Sequence, residues 1–168
     1  SLPTPFLQEL FLKNFNSNQM ALLHMDSYYL PKQSTHNNID SELPNFDHPN
    51  AFDWNLLKTH LNALKDGERV YTPVYNFETH KRTQETIPLG PSKIILFEGI
   101  FTLYDKALRD MLDVKCFLHV DADIRFTRRL HRDVQERGRT LSSVISQYYD
   151  TVRPMYQEFL APQVQYAD

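Results

Sequence analysis

The chain has 168 residues, 41% of them hydrophobic and 23% charged, with a net charge of −3. That length suits one domain around one core, and the acidic balance excludes a global basic field of the kind that gathers nucleic acid. A lone cysteine, Cys116, excludes a disulfide framework and points to a reducing, cytoplasmic setting; no apolar run approaches the ~20 residues of a membrane span, and no signal peptide is visible at Ser1.

The first expected element is a helix in TPFLQELFLKNF, capped by Thr4, with Pro5 in its first turn and Phe6, Leu7, Leu10 and Phe11 as its apolar face. MALLHMD follows as a short buried strand ending at Asp26. Residues 31–50 are polar and proline-rich, hence loop. AFDWNLLKTHLNALKDG reads as a helix, with Asp53 as cap, Leu57, Leu61 and Leu64 as buried face and Gly67 as stop. RVYTPVYNF and RTQETIPL form a hairpin standing off the core. KIILFEGIF and VKCFLHVDAD read as parallel strands buried on both faces. A basic helix or helix-loop, IRFTRRLHRDVQERGRT, comes next. LSSVISQYYDTV is the last helix, which Pro154 should end or kink.

Strands alternating with helices define an α/β layered fold with a mainly parallel sheet. Acids stand at three strand ends: Asp26, Glu98 and the pair Asp121/Asp123. Ligands of open parallel sheets bind at the carboxyl ends of strands, so these acids can converge, although each can also simply begin a surface loop. Asp26 suits a general base for a hydroxyl or a ligand for a divalent cation. Asp47 can accept sugar hydroxyls or merely cap a helix with His48. Tyr75, Phe77 and Thr79 alternate along one strand face, where rings can stack a flat base and His80 can bond its edge; the plainer alternative is an ordinary inward face. Arg125, Arg128, Arg129 and Arg132 fall on one helical face, with Arg137 and Arg139 around Gly138. Such a face is either solvated or gathered around an anion, and phosphoryl transfer needs cations about the moving group.

The stretches MDSYY, NFDHPNAFD, PVYNFETHKR, ILFEGIF, DADIRFTRRLHRDVQERGR and ISQYYDTVRPMYQEFLAP occur in this order from His24 onward. Together they resemble the uridine kinases (uridine-cytidine kinases), relatives of phosphoribulokinase among the P-loop kinases. The resemblance implies a P-loop NTPase-like parallel sheet flanked by helices, with an inserted nucleoside-binding hairpin at 70–90 and an arginine-rich lid at 133–142, all in a single domain over 1–168. It implies transfer of the γ-phosphate of ATP or GTP to the 5′-hydroxyl of uridine or cytidine, with Mg2+ as cofactor. Asp26 then looks like the base and part of the magnesium site, and Glu98 like the strand-end acid that holds magnesium through water. Asp47 and Arg129 look like ribose ligands. Tyr75, Phe77 and His80 look like the base pocket, completed by Tyr29, Phe46, Arg139 and Gln147. Arg132, Arg137 and Arg139 look like lid residues near the phosphates. The family expectation includes assembly of several copies, with neither nucleic acid nor membrane as partner.

One departure stands out. The family opens with a strand and the phosphate loop G-x-x-x-x-G-K-[ST], whose amides and lysine hold the triphosphate. Here no glycine precedes Gly67. The first strand and its loop, and also a last strand, are therefore expected to lie outside these residues, and the 168 residues alone are expected to transfer phosphate weakly or not at all. Two competing readings follow: a catalytically silent nucleoside-binding relative, which the missing loop favours, and an RNA-binding module, which the acidic charge opposes.

Overall fold

The structure, a computed structural model, describes residue 13 and residues 19–31, 45–77 and 79–168. The helix expected from Thr4 falls outside the described residues, as do 32–44 of the expected loop. Two compact units make up the chain, Ser1–Leu112 and Asp113–Asp168.

In the first unit, β1 (Met20–His24) pairs in parallel with β4 (Ile94–Glu98), in register from Met20 opposite Ile94 to His24 opposite Glu98. The pairing sets both strand ends, and the acids that follow or close them, side by side. Met20, Ala21 and Leu23 of β1 are buried. All five β4 residues are only half-buried, because among the described residues β1 is the one strand that pairs with β4. Beyond β1 the chain tightens into a 3-10 turn, Met25–Tyr28.

Helix α1 (Trp54–Lys65) forms where the sequence places it. Asp53 Oδ1 accepts the Leu56 amide at 3.1 Å, satisfying one of the orphan donors of the first turn. Leu57, Leu61 and Leu64 are buried, each adding roughly 1.5–3 kcal/mol over exposure. The helix stops at Gly67, φ +79°, with Gly67 N–H on Leu64 O and Glu68 N–H on Ala63 O. Those two bonds make a Schellman cap, which requires the left-handed residue that glycine supplies.

The expected hairpin is β2 (Val70–Asn76) antiparallel to β3 (Lys81–Leu89). Its register shifts between Pro73, opposite Thr86, and Tyr75, opposite Arg82. The bulge re-aims the tip half of the hairpin relative to its base.

Short helix α2 (Lys106–Arg109) is capped by Asp105, whose Oδ1 accepts the Leu108 amide at 3.0 Å while Oδ2 accepts Lys58 Nζ at 2.9 Å. Burial pushes the Asp105 carboxyl up, but the Lys58 ammonium and the backbone amides outweigh it and hold the group below the usual carboxylate range. A depressed carboxylate contributes stability above its unfolded value of about 3.9 and loses it as pH falls through the folded value. Asp105→Ala should therefore cost about 1–2 kcal/mol at pH 7. In urea melts run from pH 7 down to pH 3, the gap between wild type and variant should close at the acid end; a constant gap would refute the assignment.

In the second unit, α3 (Ala122–Gln135) and α4 (Leu141–Gln147) match the expected helices. Two expectations are corrected. VKCFLHVDAD forms no strand: residues 115–121 have no regular structure, and Val114, Cys116 and Leu118 are exposed. Its apolar alternation has no neighbouring strand among the described residues, and an unpaired strand has no ladder to hold it. Pro154 does not end its helix. Helical backbone runs on from α4 through π-helical turns at Tyr148–Val152 and Tyr156–Leu160, flanking Arg153–Met155. In the first π turn the Arg153 amide reaches five residues back to Tyr148 O. Wider turns shift the bonding pattern around the proline, so its missing N–H and its ring are accommodated.

Candidate active site

Of the acids expected at three strand ends, Asp26 and Glu98 come together, whereas Asp121 and Asp123 stand at the start of α3 in the second unit, with no strand directly before them. Asp26 stands in the 3-10 turn two residues past His24, and Glu98 is the last residue of β4, paired with His24 across the sheet. Burial, and then the neighbouring Glu98 charge, push the Asp26 carboxyl above the usual carboxylate range, and Asp47 adds to the repulsion. A raised carboxyl is a stronger base when ionised, which suits it to accept a hydroxyl proton. His24 Nδ1 lies 2.5 Å from Glu98 Oε1. This bond is the main cause of a raised His24 pKa, and it acts against burial.

Gly99 makes the close approach possible. A Cβ there would sit 2.3 Å from Met25 Cβ, and its φ is +156°. Met25 is wholly buried and its Cβ cannot swing aside. Gly99→Ala should thus force the end of β4 away from the turn bearing Asp26, at about 1–3 kcal/mol for overpacking. Calorimetry should show the melting point falling by several degrees; an unchanged value would mean the strands separate freely.

The second group is aromatic. The Tyr29 ring lies 5.0 Å from Phe46, 5.4 Å from Tyr75 and 5.9 Å from Phe77, centroid to centroid, mostly edge to face. Its hydroxyl donates to Phe46 O at 3.1 Å. Tyr29 and Tyr75 are buried, whereas Phe77 is 48% exposed at the open end. His80, at the hairpin tip, faces Phe46 at 5.5 Å. Its φ of +54° is an uncommon, strained value for a residue with a side chain. Its Nδ1 is enclosed, with no hydrogen-bond partner among the described residues. Of the seven residues that the resemblance groups around the base, these five cluster, and Arg139 and Gln147 belong to the second unit.

The arginines divide instead of forming one stripe. Arg125 donates to Val120 O and lies over the Tyr156 ring at 3.6 Å, and Arg128 is exposed. The remaining four converge on Asp133, which is 1% exposed: Arg132 at 2.8 Å, Arg137 at 3.5 Å, Arg129 at 3.6 Å and Arg139 at 3.7 Å. Gln147 Oε1 accepts from both Arg129 and Arg139. One carboxylate against four guanidiniums leaves a net positive cluster fit for an anion. A lone aspartate in RRLHRDVQERGR carries no sign that it will be the hub.

Residues 6–168 match the model of the phosphoribulokinase / uridine kinase family. The chain belongs to that family. Curated relatives include a uridine kinase of Shewanella piezotolerans, 46% identical over all of this chain and 79% of its own length. A uridine kinase of Staphylococcus aureus is 47% identical over 94% of this chain and 75% of its own. Among solved structures, the phosphoribulokinase of Rhodobacter spheroides superposes with a TM-score of 0.67 at 12% identity, over all of this chain and 64% of that one. The D-glycerate 3-kinase of Cryptococcus neoformans does so with 0.64 at 19%, over 92% and 74%. The fold is the α/β fold of these P-loop kinases, a parallel sheet with flanking helices, and the family makes the chain a phosphotransferase.

Within the kinase family frame, sequence reasoning missed His24, Arg82 and Gly99. Each works through a contact distant in sequence, and only the glycine of ILFEGIF left a visible signal.

Proposed function

We propose that the chain is a pyrimidine nucleoside kinase, moving the γ-phosphoryl group of ATP or GTP to the 5′-hydroxyl of uridine or cytidine. The observation that carries this reading is the aromatic cluster of Tyr29, Phe46, Tyr75 and Phe77, with His80 Nδ1 enclosed beside it and without a hydrogen-bond partner among the described residues. A flat ring with hydrogen-bonding edges satisfies both features: the aromatic faces stack it, and the imidazole pairs with its edge. Uridine kinases at 45–47% identity support an active enzyme over a silent relative.

In this reading Asp26 accepts the 5′-hydroxyl proton as the oxygen attacks. Asp47 and Arg129 bond the ribose hydroxyls, and Arg139 and Gln147 complete the nucleoside site. Arg137 and Arg139, in a lid at 133–142, and Arg132 just before it neutralise charge on the transferring group. The hairpin at 70–90 is the base-reading element. The two adjacent carboxylates, Asp26 and Glu98, are hard oxygen donors that repel each other, so they would suit Mg2+. Bound there, the ion would offset the negative charge on the phosphates. Among the described residues no third acidic or imidazole ligand joins them. A cytoplasmic setting and assembly of several copies complete the proposal; among the described residues no helix is long and apolar enough to cross a membrane.

The test is calorimetric titration with uridine, cytidine and adenosine, followed by a search for uridine monophosphate in the presence of Mg-ATP. Binding of both pyrimidine nucleosides and weaker binding of adenosine are expected, with product formed weakly or not at all by these 168 residues and readily by a protein in which a phosphate loop precedes them. Failure to bind either pyrimidine would sink the reading, and binding without product in that longer protein would reinstate the silent relative.

A further inference from the structure

Arg82 lies next to the aromatic cluster but does not belong to it. It is the cross-strand partner of Tyr75, and its side chain is 21% exposed. Each guanidinium nitrogen is engaged at 3.0 Å: Nε donates to Tyr29 O, Nη2 to Tyr28 O and Nη1 to Asp53 Oδ2. The three acceptors belong to the segment leaving β1 and to the cap of α1. The donor belongs to the hairpin. The planar fork of an arginine is the one side chain whose fixed geometry serves three such acceptors at once.

The walls of the cluster come from these same two places. Tyr29 sits on the segment leaving β1, and Tyr75 and Phe77 sit on the hairpin. The hairpin is otherwise a two-stranded ribbon with a shifted register, and such ribbons are weak alone. We infer that Arg82 is a positioning residue: by clamping β3 to the Tyr28–Tyr29 backbone and to Asp53, it fixes the spacing of the two aromatic walls and so the affinity for the nucleoside base. This rests on the pyrimidine-nucleoside reading of the cluster. Arg82 points its nitrogens at protein acceptors.

The experiment compares the full chain with Arg82→Lys and Arg82→Met, by uridine calorimetry, by deuterium uptake in the absence of ligand and by thermal melting. Lysine keeps a charge near Asp53 but cannot serve both carbonyls. Uridine affinity should fall about tenfold in Arg82→Lys and further in Arg82→Met. Peptides over 70–76 and 81–89 should exchange faster in both variants, while peptides over 54–65 keep their protection. A folded Arg82→Met protein with wild-type uptake in the hairpin overturns the clamp. Faster uptake with wild-type affinity overturns the positioning role. If wild type itself binds no pyrimidine nucleoside, the functional reading has failed, and hairpin uptake still decides whether the clamp exists.

Discussion

In a protein that carries a phosphate loop ahead of these residues, Asp26→Asn should cut formation of nucleoside monophosphate by about 10²–10⁴-fold, the usual worth of a positioned general base. Uridine affinity should change little, because asparagine has nearly the same shape and still bonds a hydroxyl. The variant should also melt no lower than wild type. In the folded protein the ionised Asp26 carboxyl is disfavoured by burial and by Glu98, so replacing it with a neutral amide removes a cost. Activity lost together with stability kept or gained is the signature of a group retained for chemistry. An ordinary structural aspartate would show the reverse. A coupled kinase assay and differential scanning calorimetry on the same preparation decide the matter. Turnover within threefold of wild type would remove Asp26 from the mechanism.

Asp133→Ala should produce the largest loss of stability. Removing one partner of a buried ion pair typically costs 3–5 kcal/mol, since the remaining charge is left uncompensated. Here the four arginines keep some access to water, with Arg137 56% exposed, which lowers the expected cost to about 3 kcal/mol. For a chain of this size that corresponds to a melting point about 6–12 °C lower. The loss should be salt-sensitive, because added anions can take the carboxylate's place among the guanidiniums. Asp133→Asn keeps the shape and should lie between. A drop under one degree for Asp133→Ala would mean that the arginines hold their places without a hub.

The sequence made the local rules visible. Asp53 as cap, Leu57, Leu61 and Leu64 as buried stripe and Gly67 as stop all appear as read, because each depends on neighbours within a turn or two. The hairpin was legible for the same reason, and the clustering of Tyr29, Phe46, Tyr75, Phe77 and His80 followed from the family motifs. What failed depended on partners far along the chain. VKCFLHVDAD has strand composition, yet a strand exists only with another strand beside it. Pro154 obeys its rule in an α-helix, and the π turns change the helix. The arginine stripe has helical periodicity, but whether a charge faces solvent, a ring or Asp133 is a matter of tertiary packing. Arg82 and His24 were invisible as functional residues because their acceptors lie on other strands and turns.

The contact at Gly99 also divides the labour of rigidity within the first unit. Where β4 ends, backbone rests directly on Met25 with no side chain between them. The separation of the two strand ends is therefore governed by hard-core repulsion, the steepest part of any interatomic potential, and not by rotamers that can hop. Thermal motion in the hairpin tip can open or close the mouth of the aromatic cluster and still leave the distance between Asp26 and Glu98 almost untouched. Selectivity for the ligand can thus be tuned by changes in the ribbon while the spacing of the acids, on which the reaction would depend, is inherited unchanged.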